Sequence, residues 1–95
     1  MLVLVTYDVN TENPSGRKRL RQVAKACQDY GQRVQNSVFE CVVDSSQLLK
    51  MKDRLIKLID PEKDSLRFYA MGNNKGQVDH YGTKPSFSVT EPLIL

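Results

Sequence analysis

Hydrophobic and polar positions follow two different periods along the chain. Residues 2–9 form an apolar, β-branched run, which predicts a buried strand, and residues 65–71 alternate apolar and polar side chains, which predicts another. Between them, apolar positions recur at helical spacing over residues 16–30 and again over residues 44–59. The pattern therefore predicts two amphipathic helices packed against a sheet.

Shorter strands are predicted between the two helices and after the strand over residues 65–71. Residues 33–35 and 38–43 read as two strands joined by a tight turn or a bulge at residues 36–37. Residues 78–81 and 87–89 predict short edge strands. An apolar tail follows them, and it should not lie in water.

Polar and glycine residues mark the predicted helix ends. Ser15 is the predicted N-cap of the first helix, and Gly31 is predicted to end that helix. Asp44 and Gln47 have the spacing of a capping box, which predicts the start of the second helix.

The predicted order is β-α-β-β-α-β, followed by an extension over residues 77–95. This order is typical of the ferredoxin-like fold, an α+β arrangement in which an antiparallel sheet carries two helices on one face. A chain of 95 residues forms a single domain with a small core, so dimerisation is a natural way to bury more surface. The fold hosts many functions and does not define this one.

Composition narrows the functional classes without choosing one. Lysine and arginine number 14 against 11 aspartate and glutamate, and the net charge of +3 permits a polyanionic partner without requiring one. Cys27 and Cys41 lack CxxC spacing, so we expect two reduced, buried thiols of a cytosolic protein. No basic n-region and no long apolar segment occur, which predicts no signal peptide and no membrane span.

Asp8 lies where the first apolar run ends in a carboxylate. A carboxylate is costly among apolar groups unless it is paired. At a strand tip it can stay charged and face a cleft that holds a divalent metal or adjoins a nucleic acid. The alternative is that Asp8 only starts the following loop, as aspartate often does. The residues alone support the two interpretations about equally.

Basic residues cluster directly after the loop that follows Asp8. Arg17, Arg21 and Lys25 lie four residues apart on one face of the first helix, and Arg33 follows in the next strand. We call these four cations the basic ridge. Beside a helix N-terminus, which itself favours anions, the ridge predicts a phosphate-binding surface. The alternative is an ordinary solvated helix face.

No nucleophilic catalytic set is present in the sequence. GxSxG, Walker and HExxH motifs are absent, and the strand around Phe39 lacks the aromatic-rich pattern of RNA-recognition modules. His80 stands alone, and we expect it at the surface or at an interface. A single aspartate is a poor magnesium site. A two-fold axis near Asp8 would bring two copies of this carboxylate together.

Four stretches of the sequence together resemble one known family. They are residues 5–9 (VTYDV), the basic helix over residues 17–25 (RKRLRQVAK), residues 30–40 (YGQRVQNSVFE) and residues 66–69 (LRFY). In this order they resemble the CRISPR-associated Cas2 family over nearly the whole chain. The run RVQNSVFE is fairly specific, whereas the basic helix alone is not.

The resemblance implies a ferredoxin-like homodimer in which the C-terminal segment, residues 77–95, reaches across to the partner's sheet. It implies a metal-dependent endonuclease with Asp8 as the residue that binds Mg²⁺, or Mn²⁺ in its place, and with RNA or DNA as substrate. It also implies a cytoplasmic role as the central adaptor between dimers of the Cas1 integrase during spacer acquisition.

Two functions remain open at this point. A metal-dependent endonuclease centred on Asp8 and a non-catalytic nucleic-acid-binding scaffold that docks the integrase both fit the residues. A small-molecule regulatory domain of the same fold is the weakest hypothesis, because no ligand fingerprint occurs and the cations cluster. The sequence does not choose between RNA and DNA, and it does not give the separation of two Asp8 carboxylates in a dimer.

Overall fold

The structure is a computed structural model that describes residues 1–71 and 78–83. Its elements are, in chain order, β1 (Leu2–Asp8), α1 (Pro14–Gln28), β2 (Gly31–Gln35), β3 (Val38–Val42), α2 (Ser45–Leu58), β4 (Ser65–Met71) and β5 (Val78–Gly82). The strands form an antiparallel sheet in the order β2-β3-β1-β4-β5. The predicted ferredoxin-like α+β fold is confirmed, with β5 added beside β4.

The central strand, β1, organises the core. It pairs with β3 on one side and with β4 on the other, and Val5 lies opposite both Phe39 and Phe68. Because strand residues alternate between faces, Val3, Val5 and Tyr7 all point toward the helices and are buried there. Burying an apolar side chain of this size stabilises the fold by about 1.5–3 kcal/mol. The β-branched run at the start of the sequence therefore follows from the central position of its strand.

The two helix starts differ in how well the sequence predicted them. Asn13 caps α1: its Oδ1 accepts hydrogen bonds from Ser15 N at 2.9 Å and from Ser15 Oγ at 2.8 Å. Pro14 begins the helix, where a missing N–H costs little, so the prediction of Ser15 as the cap is wrong. The capping box of α2 is confirmed, since Asp44 Oδ1 accepts from Gln47 N at 2.7 Å and Gln47 Oε1 accepts from Asp44 N at 2.9 Å.

Gly31 opens β2 and does not end the first helix. The helix ends at Gln28 with Asp29 as its C-cap, and among the described glycines only Gly82 has a positive φ. A Cβ on Gly31 would overlap the carbonyl oxygen of Glu40 on the neighbouring strand. The predicted role as a helix stop is wrong, because glycine is required here by the close approach of β2 and β3.

Part of the predicted C-terminal extension is described. Residues 78–83 are visible, and Val78–Gly82 form the edge strand β5, which pairs antiparallel with β4. The predicted strand over residues 87–89 and the apolar tail lie outside the described residues, and exchange with a partner stays a prediction. Within the described ranges, neither helix has an apolar stretch long enough to cross a membrane.

The Gly31→Ala variant should have a free energy of unfolding lower by about 1–3 kcal/mol, the range for inserting a group into a packed site. The added Cβ would lie 2.6 Å from Cys41 Cα and would have to displace the backbone of β3. Urea denaturation measures the change. The matched control is Gln35→Ala at an exposed position of the same strand. A Gly31→Ala variant as stable as that control would contradict the close approach.

Candidate metal and nucleic-acid site

Asp8 is the last residue of β1 and lies on the sheet face that the helices leave uncovered, which we call the open face. Its neighbour Tyr7 is buried on the helix side, and successive strand residues point to opposite faces. Asp8 pairs with Ser65 across the ladder and is exposed to solvent. Among the described residues its carboxylate has no hydrogen-bond partner, so both oxygens are available to a ligand.

The open face around Asp8 carries mixed polar groups and not a cluster of acids. Arg67 lies opposite Thr6 on one side and opposite His80 on the other. Ser65 Oγ lies 2.9 Å from His80 Nε2, so this partly buried histidine is tied to β4. Within residues 1–71 and 78–83, no three His, Cys, Asp or Glu side chains group closely enough to hold a metal ion. The described part of one chain therefore supplies Asp8 without further acidic ligands around it.

A cleft of about 290 Å³ opens beside Asp8, and Leu20 and Arg33 also line it. Arg33 Nε donates a hydrogen bond to Asn36 O at 2.8 Å. The guanidinium carbon of Arg33 lies 5.6 Å from the centre of the Phe39 ring, within cation–π range. Both contacts fix the guanidinium without occupying its terminal nitrogens. The structure thus brings together two of the predicted site residues, one acid and one cation.

The other three cations of the basic ridge lie along α1. Arg17, Arg21 and Lys25 are all exposed, and none of them lines the cleft. Arg17 Nη1 donates to the carbonyl oxygens of Thr11 at 2.9 Å and Glu12 at 3.3 Å, which ties the β1–α1 loop to the helix. The ridge therefore divides into one cation at the cleft and three on the helix. Its role as a nucleic-acid surface stays a prediction.

Asp64 is a buried acid that the sequence analysis missed. Arg19, which lies between ridge residues in the sequence, points inward and pairs with it: Nε and Nη2 lie 2.8 Å and 3.0 Å from the two carboxylate oxygens. The Tyr7 hydroxyl and the Asp60 backbone N–H donate to the same carboxylate. No local signal reveals this cluster, because Arg19 and Tyr7 lie 45 and 57 positions away from Asp64.

Charge and burial together set the protonation of this cluster. Burial by itself raises the pKa of Asp64, but hydrogen bonds from Arg19, Asp60 and Tyr7 outweigh it and hold the pKa of Asp64 below its usual value. Burial and the hydrogen bond to Asp64 raise the pKa of Tyr7, so its hydroxyl keeps its proton. At neutral pH the cluster is therefore an ionised carboxylate surrounded by donors.

Comparison with known proteins gives one consistent family. The family model described as CRISPR associated protein Cas2 matches residues 1–78. The CRISPR-associated endonuclease Cas2 of Halalkalibacterium halodurans is 65% identical over 95 residues, which cover 99% of each chain. The CRISPR-associated endoribonuclease Cas2 of Nitratidesulfovibrio vulgaris is 59% identical over 96 residues, covering 100% of this chain and 94% of that one.

Solved structures agree with the sequence relatives. The crystal structure of Streptococcus pyogenes Cas2 at pH 6.5 aligns with a TM-score of 0.75 and 65% identity, over 78% of this chain and 89% of that chain. A hypothetical protein from Thermus thermophilus aligns with a TM-score of 0.66 and 35% identity, over 76% of this chain and 82% of the other. The predicted resemblance is confirmed, and the chain belongs to the CRISPR-associated Cas2 family.

Proposed function

We propose that this chain is a CRISPR-associated, metal-dependent endonuclease that hydrolyses phosphodiester bonds at Asp8. The observation that carries the proposal is the shared cleft, which the exposed residues Asp8 and Arg33 both line. A carboxylate that holds a divalent ion beside a cation that contacts phosphate suits this reaction. The two relatives above, named endonuclease and endoribonuclease, support the same class of activity.

The chemistry of Asp8 fits Mg²⁺, with Mn²⁺ as its substitute. Mg²⁺ is bound through one or two carboxylates and keeps several of its waters. The Asp8 carboxylate is exposed and has no protein partner in the described ranges, so it can serve as one of these ligands. When bound, the ion would polarise a water molecule or a phosphoryl oxygen. The protein's contribution is the negative charge that holds the ion at the end of a central strand.

A second copy of the chain supplies the second carboxylate. The open face exposes Leu2, Val42, Met71 and Val78, and Leu2 pairs directly with Val42 and Met71. Contiguous apolar positions of this kind mark an interaction surface. Pairing two open faces about a two-fold axis buries them and brings two Asp8 carboxylates to the same interface. The homodimer, with residues 77–95 exchanged between partners, is therefore part of the proposal.

Binding and cleavage depend on different residues of this site. Arg17, Arg21 and Lys25 hold the phosphate backbone by charge, which gives affinity without sequence preference. Arg33 contacts the phosphate at the cleft and stabilises the negative charge that develops there during cleavage. The proposal covers RNA and DNA alike, because both carry the phosphodiester that these groups contact.

A second candidate function is a non-catalytic nucleic-acid-binding scaffold. It is favoured by the absence of three grouped metal ligands in the described part of one chain, together with the solvent exposure of Arg17, Arg21 and Lys25 on α1. Such a scaffold requires the basic ridge and does not require a metal at Asp8. In either function the chain acts in the cytoplasm during spacer acquisition, with the Cas1 integrase as its partner.

The Asp8→Asn variant should lose Mg²⁺- or Mn²⁺-dependent cleavage by about 100-fold or more, because loss of even a supporting residue lowers metal affinity by about 10–100-fold. Asparagine keeps the shape of the side chain and removes the charge that holds the ion. Time courses with labelled single-stranded RNA and double-stranded DNA measure cleavage, and fluorescence anisotropy measures binding. Binding should be unchanged.

The matched control is Asp53→Asn on α2, which removes an exposed acid that pairs with Lys57 on the same helix. This control should cleave like the parent, and both proteins must be prepared free of contaminating nucleases. Full activity in Asp8→Asn would show that cleavage does not depend on Asp8. Binding without cleavage in the parent and the variant alike would favour the scaffold.

The Arg17→Ala/Arg21→Ala double variant should flatten the plot of log affinity against log salt concentration. Loss of two phosphate contacts reduces the slope by about 1.4 for single strands and about 1.8 for duplex DNA. Anisotropy titrations between about 50 and 200 mM salt measure the slope.

The matched control for the ridge is Lys50→Ala/Lys57→Ala, which removes the same charge from the exposed side of α2. Its salt slope should equal that of the parent. An unchanged slope in the ridge variant, or an equal change in the control, would place the binding surface elsewhere.

A further inference from the structure

Asp64 lies near the end of β1 that carries Asp8, and it forms hydrogen bonds to the segments around that end. Its side chain is fully buried. The carboxylate accepts hydrogen bonds from the Tyr7 hydroxyl, from Arg19 Nε at 2.8 Å and Nη2 at 3.0 Å, and from the Asp60 backbone N–H at 2.9 Å. Charge-assisted bonds to a buried carboxylate are strong and geometrically specific. The cluster therefore fixes the end of β1 against the first turns of α1.

The backbone of Asp64 extends this cluster of hydrogen bonds to the edge of the sheet. Its carbonyl oxygen accepts hydrogen bonds from Thr83 N at 2.8 Å and from Thr83 Oγ1 at 3.3 Å. Gly82 permits this approach, because it has a φ of 96° and a Cβ there would overlap the Asp64 carbonyl oxygen. One residue thus joins the ends of β1 and β5, the start of α1 and the turn before β4.

The contacts of Asp64 adjoin Asp8 from two directions. No hydrogen bond from the described residues reaches the Asp8 carboxylate, so the backbone of β1 alone places it. Tyr7, which precedes it, is bonded to Asp64, and Ser65, which lies opposite it, follows Asp64 in the chain. Strand ends open locally unless they are held. The backbone that carries Asp8 is therefore held by the same buried residue through Tyr7 before it and through Ser65 opposite it.

We propose that Asp64 is a positioning residue for Asp8 and acts on it through the Tyr7 hydroxyl. Asp64 touches neither metal nor nucleic acid. This inference rests on the proposed function, in which Asp8 holds the ion, and it adds a residue that the ion requires. Residues that orient a metal ligand without touching the metal commonly lower the metal affinity by about 10–100-fold when they are removed.

The test uses Tyr7→Phe, because removing Asp64 leaves the Arg19 charge without its partner and endangers folding. Tyr7→Phe keeps the ring and the Arg19–Asp64 pair and deletes only the hydroxyl. We expect Mn²⁺ affinity, read by electron paramagnetic resonance, to fall about 10-fold. At subsaturating metal kcat should fall with it, while KM for nucleic acid stays unchanged. Hydrogen exchange of the backbone amides of residues 6–9 should become faster.

The matched control is Asp29→Asn, which breaks the ion pair with Arg54 beyond the other end of α1. It should change neither Mn²⁺ affinity nor exchange at residues 6–9. In a double-mutant cycle, adding Tyr7→Phe to Asp64→Asn should cause no further loss of Mn²⁺ affinity. Additive losses would show that the hydroxyl does not act through Asp64 and would overturn the proposal.

Two results separate this inference from the function on which it rests. Parental Mn²⁺ affinity and parental exchange in Tyr7→Phe would overturn the positioning role even if the parent cleaves nucleic acid. A parent that binds no Mn²⁺ would refute the proposed function instead. Hydrogen exchange in Tyr7→Phe then tests the positioning role by itself. Faster exchange confined to residues 6–9 supports the role of Asp64, and unchanged exchange overturns it.

Discussion

A carboxylate can be buried only where donors or an opposite charge replace the water that it loses. Asp64 meets this condition with Arg19, Tyr7 and Asp60, which come from α1, β1 and the turn before β4. Satisfying one charge therefore fixes three segments at the same end of the sheet. Removing Arg19 would leave the buried Asp64 carboxylate without its opposite charge, which is destabilising.

The two faces of β1 explain how an exposed carboxylate comes to lie at its tip. One set of alternate residues is buried under the helices, whereas the other set lies on the open face and ends in Asp8. At the strand end Asp8 reaches water, and Arg33 lines the same cleft. A lone carboxylate is a weak site for a divalent ion. In the proposed dimer, the partner that covers the exposed apolar side chains of the open face would also bring a second Asp8.

Periodicity was sufficient to predict the elements, because burial determines which positions are apolar in a helix and in a strand. The errors concern contacts between distant or ambiguous positions. Asn13 and Ser15 are both good caps, and only the helical start at Pro14 decides between them. Gly31 allows β2 and β3 to approach each other closely, and no local sequence pattern reveals this contact. Asp64 reads as an ordinary turn residue because its partners are remote in sequence. Helical geometry does distinguish Arg19, which lies roughly 200° around the helix axis from Arg17 and hence off the exposed ridge.

Whether two Asp8 carboxylates share one ion can be read from the number of Mn²⁺ ions that each dimer binds. Sedimentation establishes the mass of the particle, and a titration followed by electron paramagnetic resonance counts the bound ions. We expect a dimer that binds a single Mn²⁺ ion, and we expect this binding to disappear when Asp8 is replaced by asparagine. One ion for each chain, or Mn²⁺ binding that survives the replacement, would contradict this expectation.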